Sequence, residues 1–141
     1  MRVRKIVIIV VAILLVGVSF FFQEFNRLYT PIDVSKVQKI ELWGQQVGEV
    51  TRREATNEEV SNIVKWFNST TDIRENKDFA GETPAAGIVI NLKYAPDIRI
   101  LRSGRDFEVQ RVNWLGINKS YWTRQSDIKR LFDQLVNGSG V

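Results

Sequence analysis

Cysteine and histidine are both missing from this 141-residue chain. Without cysteine there is no disulfide, no thiol nucleophile and no lipid-acceptor Cys of the lipoprotein kind. Without histidine the commonest general base and the commonest transition-metal ligand are gone. Ser-His-Asp and Cys-His catalysis and conventional zinc sites are excluded by inventory. No P-loop, GxGxxG or calcium-loop spacing occurs either. Paired carboxylates at Glu58 and Glu59 sit where helix capping explains them. The chain therefore reads as no enzyme and implies no cofactor and no metal.

Single-sign charge is also scarce. The formal charge is +4, but three of the 20 basic residues are Arg2, Arg4 and Lys5. The rest of the chain sets 17 basic residues against 16 acidic ones. That balance argues against nucleic acid as a partner.

What is present begins with an apolar run, Ile6 to Phe22, 17 residues without a charge. As a helix it rises roughly 25 Å, the lower end of what crosses a hydrocarbon core of about 30 Å. With Arg2, Arg4 and Lys5 ahead of it, the positive-inside rule predicts a single-pass anchor with the C-terminal part outside the cytoplasm. Gly17-Val18-Ser19 offers a signal-cleavage site, but the phenylalanines that follow lengthen the run, so the segment reads as an uncleaved signal-anchor. The expected layout is a cytoplasmic 1–5, a transmembrane 6–22, a juxtamembrane linker 23–33, an extracytoplasmic domain 34–136 and a disordered tail 137–141.

Within the domain, VQKIELW (37–43) alternates, with Ile40 and Leu42 facing a core and Val37, Lys39, Glu41 and Trp43 on the other side. Gly44-Gln45-Gln46 reads as a turn, and residues 47–54 as a charged edge strand. Thr56-Asn57-Glu58-Glu59 is a capping box; the helix it starts carries Val60, Ile63, Val64 and Phe67 on one stripe. Residues 68–84 read as a long loop, either a binding loop or a connector. Strands follow over 86–94, 98–101, 107–112 and 121–123. Ser126 is the expected N-cap of a last helix bearing Ile128, Leu131, Phe132 and Leu135. The order β-β-α-β-β-β-β-α predicts an α+β domain, an antiparallel meander with both helices packed on one face.

Residues 93–130 hold nine basic and four acidic residues. Lys93, Arg99, Arg102 and Arg111, with Trp114 and Trp122, form a candidate binding face for an anionic polymer or an envelope protein. Lys93, Arg99 and Arg111 are expected on one side of neighbouring strands. The bland alternative is ordinary charged sheet surface with tryptophans in core and rim.

The strand VQKIELWG, the capped helix TNEEVSNIVKWFNS, the strand YWTRQS and the helix DIKRLFDQL together resemble small uncharacterised envelope domains of Gram-positive bacteria that follow a lipobox or a single N-terminal anchor. The resemblance covers about residues 34–136 and implies a fold and a location, with no site residues to carry over. The functional expectation is a membrane-anchored extracytoplasmic binding module of the cell envelope, non-catalytic. A secreted binder or inhibitor follows if the signal is cut. A hydrolase using carboxylates or a Ser-Lys pair is the third reading, and no motif supports it.

Overall fold

A computed structural model describes residues 2–26, 29–76, 83–104, 106–112 and 116–138. Helix α1 spans Arg2–Asn26. A 3-10 turn, Val34–Lys36, leads into β1 (Val37–Gln46) and β2 (Glu49–Glu54). Helix α2 (Asn57–Asn68) precedes β3 (Thr71–Glu75), β4 (Ala86–Leu92), β5 (Ile98–Ser103), β6 (Asp106–Val112) and β7 (Asn118–Arg124). Helix α3 (Ser126–Asn137) closes the fold. The result is α+β, with one seven-stranded antiparallel sheet in the order β2-β1-β4-β5-β6-β7-β3.

The expected membrane span is not found. Among the described residues no helix is long and apolar enough to cross a membrane. The uncharged run leaves no margin: its 17 residues, about 25 Å as a helix, are the bare minimum for a hydrocarbon core of about 30 Å. The single-pass anchor, and the placement of the domain outside a cell membrane that rested on it, fall with it. None of the described α1 side chains joins the core; Ile6 to Phe20 are exposed.

The element order also departs from expectation. Part of the predicted 68–84 loop is strand β3, which lies beside β7 at the far edge of the sheet. Residues 77–82 lie outside the described residues. Helix α2 therefore carries the chain from β2 at one edge to β3 at the other, so the sheet is no simple meander. Gly44 is inside β1 and not in a turn. Helix α3 comes so close that a Cβ on Gly44 would sit 2.2 Å from the Leu135 carbonyl oxygen. The hairpin turn is Val47-Gly48 instead. Tyr94 lies beyond β4 and is exposed. The N-cap of α3 is Gln125, whose Oε1 accepts from the Ile128 N–H at 2.7 Å, and not Ser126. The tail expected at 137–141 begins with Gly138, a left-handed cap whose N–H donates to the Gln134 carbonyl; residues 139–141 lie outside the described residues.

The core follows from alternation and register. Leu42, Ile88, Ile100, Val109 and Tyr121 are successive cross-strand partners, one apolar row over five strands. Ile40, Ile90 and Ile98 make a second row beside it. Ile63, Val64 and Phe67 of α2 and Ile128, Leu131 and Phe132 of α3 bury against these rows. Helix α2 starts with the full capping box between Thr56 and Glu59. Arg53 at the β2 edge holds the same Glu59 carboxylate through two bonds of 2.8 and 2.6 Å.

Within the stretch expected as a linker, Tyr29, Thr30 and Ile32 are bonded to the domain. Ile32 is buried, and the Asn68 carboxamide accepts from its N–H and donates to its carbonyl, both at 2.8 Å. The Tyr29 hydroxyl donates to the Asn68 carbonyl, and Arg111 donates to the Thr30 carbonyl at 2.6 Å. Helix α1 ends at Asn26, ahead of Pro31, and the Asn68 bonds fasten the chain to the end of α2.

Candidate functional site

Both helices leave the second sheet face uncovered. Register places one row straight across it: Arg52, Trp43, Gly87, Leu101, Glu108, Trp122 and Arg74. A neighbouring row runs through Glu54, Glu41, Val89, Arg99, Gln110 and Ser120. The first row sets Trp43, Leu101 and Trp122 among Arg52, Glu108 and Arg74, whereas Val89 is the one apolar side chain of the second. A purely solvated face has no need of two tryptophans.

Gly87 creates the platform for Trp43. A Cβ at Gly87 would lie 2.4–2.6 Å from Nε1, Cε2 and Cζ2 of the indole. Three ring atoms at nearly equal distance mean that the ring lies over the β4 backbone. Its outer side lines a cavity of about 540 Å³ whose walls include Arg52, Val89, Asn91, Asp97 and Arg99. A second cavity of about 350 Å³ continues toward Asn118 and Ser120. The two share Asp97, Arg99 and Gln110 as a common wall.

The Arg99 side chain has no hydrogen bond or ion pair among the described residues. Nor does Asn91 Oδ1 have a partner, although it is buried. Glu41 is held by Lys39, which keeps its carboxyl below the usual carboxylate range. Further along the face, Asp106 joins β6 to β7 and β3 through Arg124 and Arg74. Those guanidiniums, Arg124 first, hold the Asp106 carboxyl down, against partial burial.

Glu108 is a buried carboxylate that sequence reasoning did not single out. Ser120 Oγ donates to it, as do the amides of Asn76 at 3.2 Å and Gln110 at 3.3 Å. The Asn76 N–H also donates to the Ser120 carbonyl, so this cluster ties the end of β3 to the sheet. The only sequence signal was a carboxylate on the outward side of an alternating strand.

The six residues expected to form one face are divided. Arg99 and Trp122 lie on the open face. Arg102 and Arg111 point to the helix side: Arg102 pairs with Asp133 of α3 at 3.0 Å, and Arg111 sits 6.0 Å from the Phe67 ring centroid. Arg99 pairs with Gln110, so Arg111, one residue on, must face the other way. Lys93 is at the end of the sheet, where its Nζ donates to the Ser35 carbonyl at 2.7 Å. Trp114 lies outside the described residues.

A third cavity, about 820 Å³, opens on the helix side between β2 and α3, floored by Leu42, Leu131 and Leu135. Among the described residues, no group of three or more Asp or Glu side chains could hold a metal ion. Comparison with family models, with curated proteins and with solved structures found no match for this chain.

Proposed function

We propose that this protein is a non-catalytic binding module that holds its partner on the open face of its sheet. The observation that carries the reading is the Trp43 ring laid over Gly87 in the wall of a cavity that the exposed Arg99, whose guanidinium has no partner among the described residues, also lines. A surface aromatic next to unpaired polar groups is ready to exchange water for a ligand at low cost. The reading needs no cofactor.

Hydrolysis is disfavoured by accessibility. Ser120 donates to Glu108, which could pass for a nucleophile with its base, but the two residues are 4% and 7% exposed. A reacting atom must come within about 3.5 Å of the nucleophile, and although Ser120 borders the second cavity, it shows very little surface there and its Oγ is committed to Glu108. Glu108 is better explained by the three side-chain donors it satisfies.

Side-chain oxidative footprinting tests the reading without prior choice of ligand. The full-length protein is oxidised alone and in an extract of its native cells. Protection is expected at Trp43 and Leu101 and not at Tyr94, which is 95% exposed. Protection confined to Leu131 and Leu135 in the helix-side groove would move the binding site there.

A further inference from the structure

We infer that the free edge of β2 pairs with β2 of a second copy of this chain, antiparallel about Thr51, to form a two-fold dimer. The inference is independent of the binding-face reading. Three observations carry it.

The first is the backbone. The Ala55 N–H donates to the Ile40 carbonyl at 2.8 Å, and the hairpin sets Gln46 opposite Glu49. Bonding to β1 therefore alternates along β2. Glu49, Thr51 and Arg53 turn their backbone groups to β1, and Val50, Arg52 and Glu54 turn theirs outward. Among the described residues those outward groups meet only a 3.5 Å contact from the Arg53 guanidinium to the Glu54 carbonyl. Every residue of β2 is exposed.

The second is the contrast with the opposite edge. In β3, Asp72 has a φ of 55°, and the register with β7 shifts between Thr71 and Arg74. Irregularity of this kind blunts an edge against further pairing. Strand β2 has no proline and keeps an unbroken register with β1. Its only protection is charge.

The third is that this charge complements itself in one register. Outward residues must meet outward residues, so the two-fold axis falls on a residue of β2. An axis at Thr51 sets Glu49 opposite Arg53 of the second copy, twice by symmetry, with Val50 against Arg52 on the open face. At Glu49, Arg52, Arg53 or Glu54 the axis sets like charges face to face, and at Val50 it pairs no opposite charges. A guanidinium has five N–H donors, so Arg53 can take Glu49 without leaving Glu59. The axis stands perpendicular to the sheet, so both open faces look to the same side, side by side for a partner that repeats.

Amide exchange with water, read residue by residue by NMR on the full-length protein, tests the pairing. A mild non-ionic detergent covers the exposed apolar side chains of α1. An edge pair buries little surface, so a dissociation constant on the order of 100 µM is expected. Between about 20 µM and about 2 mM, the Val50 and Arg52 amides should gain about fivefold protection. The Thr51 and Arg53 amides, already bonded to β1, should not change. Glu49→Lys, an exposed position with no side-chain bond among the described residues, should weaken the pairing about tenfold. Val50→Pro removes an outward N–H and no bond to β1, and should abolish the gain at Arg52. Glu49→Lys remains informative if Val50→Pro fails to fold. No gain at Val50 and Arg52 over this range overturns the proposal. So does association that leaves these amides unprotected, since another surface then carries it. Protection that appears only in an extract of the native cells gives the edge to a different strand and overturns the second copy. If Glu49→Lys pairs as tightly as the native chain, the register about Thr51 is overturned.

Discussion

Trp43 and Gly87 are a matched pair across β1 and β4: a methyl group on Gly87 would lie 2.4–2.6 Å from three atoms of the Trp43 ring. Gly87→Ala must lift the indole off the sheet. The added carbon is on the open face, so the core row through Ile88 keeps its partners. Overpacking of this kind costs about 1–3 kcal/mol. Urea denaturation should show that loss, and acrylamide should quench tryptophan fluorescence more strongly than in the native protein. Unchanged quenching would mean that the ring does not rest where it is placed here.

The β1–β2 hairpin turns on Val47 and Gly48, with φ of 44° and 88°. Positive φ at both central residues is the turn type that asparagine-glycine favours, and a β-branched side chain resists it. Val47 is fully exposed, so its side chain contributes no packing in return. Val47→Asn should stabilise the protein by about 1 kcal/mol and raise Tm by a few degrees. Calorimetry of the two proteins checks it; a lower Tm for the variant would contradict the turn geometry.

Asn68 holds the chain ahead of β1 in place through both backbone groups of Ile32. Asn68→Ala removes two bonds and leaves a partly buried N–H unpaired. The expected loss is about 2 kcal/mol. Hydrogen exchange gives the local readout: the Ile32 amide should exchange much faster in the variant, while the β5 amides change only by the global loss.

Glu59 gives the domain a predictable response to acid. The Arg53 guanidinium, with help from the Thr56 N–H, lowers its carboxyl to about 2, against partial burial. A depressed carboxyl stabilises the fold fully above its unfolded value of about 4.3. That contribution drains away as the pH falls from there through about 2. Glu59→Gln should therefore lower Tm at pH 7, and the gap between the two proteins should close toward pH 2. The effect is modest, since half-exposed Arg53 is screened by water; about 1 kcal/mol covers cap and ion pair together. A gap that stays constant down to pH 2 would show that the ion pair contributes nothing.

Local rules in the sequence determined much of this fold. Alternation in VQKIELW put Ile40 and Leu42 inward and Trp43 outward, because successive strand residues point to opposite faces. The Thr56–Glu59 spacing fixed the start of α2, because a capping box is a short-range contact. With no cysteine and no histidine, the sequence supplies neither a thiol nor an imidazole.

Tertiary structure decided the rest. Periodicity sorts residues within one strand but is silent on which strands pair and in what register. That register sent Arg111 to Phe67 and left Arg99 on the open face. Only the docking of α3 showed why position 44 is glycine: a helix backbone passes where a side chain would be. Strand β3 has one half-buried apolar residue, Ile73, and exists because β7 offers it an edge. The Trp43 platform likewise needed β4 to bring Gly87 beneath a ring 44 positions earlier in the chain. These are contacts between distant segments, and no local pattern of residues encodes them.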